Sequence, residues 1–375
     1  MPWQHWHPEE STDPLVAARN GRLHPKVKDA LEMAQRLHKM RIPVIIANWF
    51  APNWAIDTVK YTQKKTWGNP LKKEKTQQIY ASITSYLIFL KEAYGVEMHY
   101  FSFNESDLGI DVRQTDEEHT AMIKGLGAYF KSKGLKTKFL LGDTSDANAY
   151  PFINHAMQDE TSHPYIGAVS FHSWRGWDDE TLQQWYDAAE KMNLPLIVGE
   201  GSIDAAAWRY SNFFKEPFYA MKEINLYLQM LAICQPASIL QWQLTSDYSL
   251  LSGKGILGDN RDDLFPIQRF WNIKQLAETS QGMHVVPFSE EANAITTVAL
   301  QNKKRKAYTF HILNKGASRE VSIGGLPKGI KKLNLYTTNV NADMEKTAII
   351  QVKDGVAKFN ANQVSFITLT NRKIK

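Results

Sequence analysis

The chain has 375 residues, 43% of them hydrophobic and 22% charged, with a formal net charge of +5. This allows two domains, or one large domain with an appendage, and no run of about 20 apolar residues offers a membrane-spanning helix. The single cysteine, Cys234, excludes an intrachain disulfide, and within LQMLAICQ it reads as a buried structural thiol.

The charge is unevenly spread. Residues 301–375 hold 15 Lys and Arg against 4 Asp and Glu, so the first 300 residues are net acidic. Such a shift marks a domain boundary near residue 285. The basic residues interleave with strand-like alternation and lack a helix–turn–helix or an aromatic RNA-binding motif. They read as a solvated face, with no nucleic-acid partner expected. The N-terminal MPWQHWHPEE lacks the charged and apolar regions of a signal peptide. His5 and His7 have no acidic or cysteine cluster beside them, so no metal is expected there, and no cofactor is expected elsewhere.

Taken in chain order, residues 25–40 read as a helix. VIIANWF (44–50) is the first apolar run of strand type. A helix follows in KEKTQQIYASITSYLIFLKEAYG, with apolar residues near the 3.6 period. HYFSFNE (99–105) is a strand that ends on Asn104 and Glu105. TDEEHTAMIKGLGAYFKSKG opens with a Thr115 cap and acids in its first turn, and it closes on Gly134. KFLLGDT (138–144), AVSFHSW (168–174), PLIVGEG (195–201) and SILQWQL (238–244) are further strands, separated by helices. Continuous apolar runs suit strands buried on both faces, and alternating strands and helices mean an α/β fold with a parallel sheet.

Polar and aromatic residues gather at the strand C-terminal ends: Asn48 and Trp49, Asn104 and Glu105, Asp143, His172 and Trp174, Glu200, Gln241 and Trp242. In a (β/α)8 barrel the active site lies at that face. No glycine-rich phosphate loop follows any strand, which favours the barrel over a doubly wound sheet. Six strands are visible where eight are needed, so the expected fold is a (β/α)8 TIM-type barrel over 1–283 lacking its first two strands. The chain is then N-terminally incomplete, or the barrel is open. From 284 to 375 short alternating strands with Asn, Gly and Asp turns predict an antiparallel β-sandwich.

Two carboxylates on barrel strand ends suit glycoside hydrolysis, one as acid and base, the other as nucleophile. Glu105 and Glu200 occupy such positions. NWFAPNWAI, FSFNES, FHSW, IVGEGS and LQWQL resemble successive strand ends of the clan A glycoside hydrolases. The resemblance is greatest to family 30, whose barrel carries a C-terminal β-sandwich. It runs from about residue 41 to the end. It implies a retaining enzyme with Glu105 as acid/base, Glu200 as nucleophile and Asn104 on the sugar 2-hydroxyl. It also implies a β-linked oligosaccharide or polysaccharide as substrate and an extracellular or periplasmic place. The family places Pro after Asn–Glu, where this chain has Ser106.

Trp242 resembles the stacking platform under the cleaved sugar. Trp49 and Trp54 are candidate sugar platforms or plugs of the barrel mouth, and Trp174 is a candidate for sugar binding or a loop cover. His172 is expected to bond Glu200 or substrate, and Asp143 reads as a helix cap. No G-x-S-x-G elbow supports a serine hydrolase. The alternatives are a non-catalytic carbohydrate-binding protein with a truncated barrel, or a hydrolase of another clan A family. The sequence does not specify the sugar, the linkage or the oligomeric state.

Overall fold

A computed structural model describes residues 1–57, 68–244, 246–279, 281–288 and 294–374. Six strands form one sheet in chain order: β1 (Ile45–Asn48), β2 (Tyr100–Phe103), β3 (Lys138–Thr144), β4 (Ile166–His172), β5 (Leu196–Gly201) and β6 (Ser238–Gln241). The β1–β2, β2–β3 and β3–β4 pairs are parallel. This is the sheet of a (β/α) barrel short of two strands. The chain divides into two compact units, Met1–Gly199 and Glu200–Lys375, and the division falls within β5.

In the first unit, residues 1–43 hold three helices and, among the described residues, no strand: α1 (Trp3–Trp6), α2 (Pro14–Arg19) and α3 (Pro25–Lys39). Helix α4 (Thr76–Tyr94) ends on Gly95 at φ +71°, the left-handed stop that glycine adopts without a Cβ penalty. Helix α5 (Asp116–Ser132) starts at the expected Thr115 cap: the Thr115 side chain accepts from the Glu118 amide, and Glu118 reaches back to the Thr115 amide. The short α6 (Asn154–Gln158) and α7 (Asp179–Met192) complete the outer layer.

Alternation sorts the strand side chains into two layers. Outward, Phe101 and Phe139 pack against Phe130 of α5, with ring centroids 5.9 Å apart in each case. Inward, Leu140, Ala168 and Ile197 form an apolar floor with Ile45 and Tyr100. Above that floor the residues become small and polar: Ser102, Asp143, Ser170 and Gly199. The N-terminal tryptophans are core. Trp3 is fully buried and meets Trp54 and Phe103 edge-on, with its indole N–H on Ser82 Oγ at 2.9 Å. Trp6 packs on Tyr86 and Phe89 and donates to Ser85 Oγ.

The second unit carries α8 (Pro217–Ile233), a two-stranded sheet of β7 (Leu251–Ser252) and β8 (Phe265–Pro266), and α9 (Gln268–Ala277). An eight-stranded antiparallel sheet follows: β9 (His284–Val286), β10 (Ile295–Asn302), β11 (Ala307–Asn314), β12 (Arg319–Ile323), β13 (Lys332–Asn339), β14 (Ala342–Lys353), β15 (Val356–Ala361) and β16 (Ser365–Thr370). Their order in the sheet is β12-β15-β14-β13-β16-β11-β10-β9. Phe310, Ile312, Leu333, Leu335, Phe359, Ile367 and Leu369 form its core. The lysines from Lys303 to Lys373 are all exposed, as a solvated basic face requires. Cys234 is buried, and burial pushes its thiol up to about 12.

Polar contacts tie α9 to the other face of this sheet. Gln275 donates to Phe366 O and Thr368 Oγ1 and accepts from Thr338 Oγ1. His311 is fully buried between Thr279 Oγ1 at 2.6 Å and Thr368 Oγ1 at 2.9 Å. Nearer β5, Arg269 and Glu223 form a buried bidentate pair at 2.9 and 2.8 Å. The guanidinium also donates to Tyr248 O and Ser249 O and lies over the Phe214 ring. Glu223 Oε1 accepts from Ser202 Oγ at 2.8 Å and Gln241 Nε2 at 3.2 Å, so one carboxylate pins the chain just past β5 and the end of β6.

Two predictions follow from buried groups. Arg269→Met removes the counter-ion of the buried Glu223 carboxyl, so urea unfolding should show a loss of about 3–5 kcal/mol, and adding Glu223→Leu should recover part of it. No change on the single substitution would contradict the pairing. The second concerns pH. Burial pushes His119 down to about 4 and His311 down to about 3. Both folded values lie below the unfolded one, so the unfolded chain takes up the protons first. Their contribution is intact above pH 6.5 and is lost as pH falls toward 4 and 3. Each histidine should add a slope of about 1.4 kcal/mol per pH unit in its window, and His311→Gln should remove one such share in urea titrations across pH 7 to 3.

Candidate active site

β2 ends at Phe103, and Asn104 and Glu105 follow immediately. Asn104 is buried, and its amide donates to Asn48 O at 3.1 Å. Glu105 is 7% exposed and stands at φ +52°, a left-handed conformation that a non-glycine residue adopts at a cost of order 1–3 kcal/mol and that clusters at functional sites. Its amide donates to Asp143 O at 2.9 Å, and its carbonyl accepts from the Gly109 amide at 2.8 Å. Ser106, where the resembling family has proline, is fully buried: its Oγ donates to Gln114 Oε1 at 3.1 Å, and its carbonyl accepts from the Gln114 amide at 2.9 Å.

β3 departs from regular pairing at the same level. Gly142 is opposite Ser170 and Thr144 is opposite Phe171, so Asp143 is the extra residue of a bulge. Gly142 sits at φ +94°, and a Cβ there would come 2.5 Å from Ser170 O, so only glycine fits. The bulge turns the Asp143 carboxylate inward at φ +53°. There it accepts from Ser102 Oγ at 2.6 Å and Ser170 Oγ at 3.1 Å. Asp143 is therefore no helix cap.

His172, the last residue of β4, is fully buried between two carboxylates: Nδ1 is 3.2 Å from Glu105 Oε1 and Nε2 is 3.3 Å from Asp143 Oδ1. Burial raises the Asp143 carboxyl, but hydrogen bonds from His172, Ser102 and Ser170 outweigh it and hold it below the usual carboxylate range. Nearby, Asp107 accepts from the Ser145 amide and hydroxyl, and burial pushes its carboxyl up against those bonds. Asp146 is likewise raised by burial, opposed by its pair with Arg175 at 2.9 Å.

Glu200 is the fifth residue of β5. The strand is fixed beside β4 by Gly199, whose added Cβ would meet Asp143 Oδ1 at 2.4 Å and Ser170 Oγ at 2.9 Å. Glu200 is 4% exposed, and one ligand atom each of Glu105, His172 and Glu200 lie within 4.8 Å of one another. Such a trio is able to hold a cation.

The tryptophans separate. Trp54 is 7% exposed, its N–H donates to His7 O at 2.8 Å, and its ring packs on Trp3 and His7. It is buried against the N-terminal segment. Trp49 follows β1 and is half-buried; Trp174, two residues past β4, is buried. Trp242 is half-buried just past β6, its amide on Gly201 O at 3.0 Å and its carbonyl accepting from Gln241 Nε2. Residues missed in the sequence are Ser102, Ser170 and Gly199. Their signal was faint but present: isolated small or polar residues inside otherwise apolar strand runs.

No family model matches the chain, and no curated protein matches it. Solved structures do. The fold is that of the family 30 glycoside hydrolases. A family 30 endoxylanase from Clostridium papyrosolvens aligns with a TM-score of 0.77 at 14% identity, over 97% of this chain and 88% of that one. A family 30 subfamily 8 xylanase from Clostridium acetobutylicum aligns at 0.74 and 14%, over 92% and 83%. The catalytic domain of xylanase C from Talaromyces cellulolyticus aligns at 0.69 and 12%, over 90% and 78%.

Gly199→Ala tests the packing of the site. Its methyl group would displace the Asp143 carboxylate, so chemical unfolding should report a loss of about 1–3 kcal/mol. An unchanged midpoint would mean that Asp143 has room to move.

Proposed function

We infer that this protein is a retaining glycoside hydrolase acting on a β-linked glycan, with an extracellular or periplasmic place. The observation that carries this reading is the buried trio of Glu105, His172 and Glu200 at barrel strand ends, with ligand atoms within 4.8 Å of one another. Retaining enzymes hold their two carboxyl groups roughly 5–5.5 Å apart, whereas inverting ones leave room for a water at about 6.5–9.5 Å. The family 30 fold and the xylanases that share it add support for a β-linked polymer.

In this reading Glu105 protonates the glycosidic oxygen while Glu200 attacks the anomeric carbon, and the aglycone leaves. A covalent glycosyl–enzyme results. Glu105, now a carboxylate, takes a proton from water, and the resulting hydroxide character at oxygen displaces Glu200 from the anomeric carbon. Net inversion occurs twice, so the configuration is retained. Asn104 bonds the 2-hydroxyl, and Trp242 carries the sugar ring.

Kinetics separate the two roles. Glu200→Gln should abolish turnover of every glycoside, because no covalent intermediate forms. Glu105→Ala should lose about 10²–10⁴-fold on a poor leaving group yet keep the first step on an activated aryl glycoside. Azide should then restore turnover and yield a β-glycosyl azide. Rescue of Glu200→Gln instead would reverse the assignments, and absence of any cleavage by the wild-type protein would overturn the reading.

A further inference from the structure

An ionised carboxylate inside an apolar strand needs a reason. Transferring one from water is costly unless hydrogen bonds replace its hydration. Asp143 is 2% exposed, in a strand whose other residues from Phe139 onward are buried as well. Its surroundings are fitted to the charge. Ser102 and Ser170 donate to it, Gly199 leaves the space that a methyl group would fill, and the Gly142 bulge turns it inward. The third partner is His172 Nε2.

An ionised carboxylate only accepts hydrogen bonds. His172 Nε2 must therefore carry a proton, and the variable proton of this imidazole is the one at Nδ1, which faces Glu105 Oε1 at 3.2 Å. We propose that Asp143 is a positioning residue that holds His172 as the Nε2–H tautomer, so that the Nδ1 lone pair accepts from protonated Glu105. The inference rests on the reading of Glu105 as the acid/base.

The consequence for the reaction is directional. Before glycosylation, Glu105 O–H donates to Nδ1, which favours the acid form. When that proton moves to the glycosidic oxygen, the new carboxylate faces a lone pair. Taking a proton from water in the second step restores the hydrogen bond. One proton leaves Glu105 and one returns, and His172 changes neither its charge nor its tautomer. The other ionisable groups around this pair are Glu200, Asp107, Asp146 with its Arg175 partner, and His119 on α5. His119 Nε2 accepts from the Gly142 amide at 3.2 Å, so its ring is neutral and adds no charge.

The test needs no catalytic readout at first. In wild-type protein labelled with ¹⁵N-histidine, His172 should show a protonated Nε2 and a pyridine-like Nδ1 at neutral pH. Asp143→Asn should invert this, since an asparagine N–H offered to Nε2 forces the proton to Nδ1; substituting Asn for the carboxylate that orients a catalytic histidine is known to present the wrong tautomer. The inverted ring donates to the Glu105 carboxylate and favours its ionised form. The alkaline limb of the pH–rate profile should then move to lower pH. Turnover of poor leaving groups should fall about 10²–10⁴-fold, while activated aryl glycosides lose far less.

A wild-type spectrum with Nδ1 protonated at neutral pH would overturn the proposal, even if the variant fails to fold. So would an equal loss on all leaving groups in a folded Asp143→Asn protein, which marks a purely structural role. Failure of azide to rescue Glu105→Ala would instead remove the acid/base reading and leave the tautomer result standing.

Discussion

The strand ends of the first unit are organised around one buried carboxylate. Asp143 must find donors or the fold is penalised by several kcal/mol, and the local structure is the set of solutions to that demand. Two strands contribute serines, β4 contributes His172, and β5 contributes the space at Gly199. The same residue fixes Glu105 twice. Its carbonyl takes the Glu105 amide, holding the left-handed turn, and its carboxylate orients the imidazole that meets the Glu105 side chain. The strain at φ +52° is therefore maintained by neighbours rather than by the residue itself.

The second unit repeats the device with a different counter-charge. Glu223 is held by the Arg269 guanidinium, and it grips Ser202 and Gln241, each within a few residues of a strand end. A buried ion pair contributes little net stability compared with well-packed apolar residues. What it contributes is a unique geometry, since its oxygens are satisfied in only one arrangement of the chains around it. Trp242 depends on that arrangement, because Gln241, bound to Glu223 and to the Tyr227 hydroxyl, also donates to the Trp242 carbonyl.

Much of this was legible in the sequence because it depended on local pattern. Continuous apolar runs marked all six parallel strands to within a few residues. The Thr115 cap, the Gly134 stop and the period-2 strands of the C-terminal region are one-dimensional signals. Glu105 and Glu200 stood out because a carboxylate ending an apolar run has few structural uses. Asp143 was legible as a strand-end residue but reads there as a helix cap. A bulge adds one residue against a neighbouring strand, and that mismatch exists only once β3 and β4 are paired. His172 was legible as a strand-end residue, but its partners come from 67 and 29 residues away. Trp54 could not be told from a sugar platform, because the Trp3 that covers it is contributed by a helix of four residues.

That docking also bears on the barrel's missing strands. β1 is the first strand of the sheet, so among the described residues its outer edge has no strand partner. An exposed edge invites further strand pairing. Here Trp3 of the N-terminal segment packs between Trp54 and Phe103. The aromatic residues of NWFAPNW are thereby divided in use, with Trp54 committed to the covering layer and Trp49 left at the strand end.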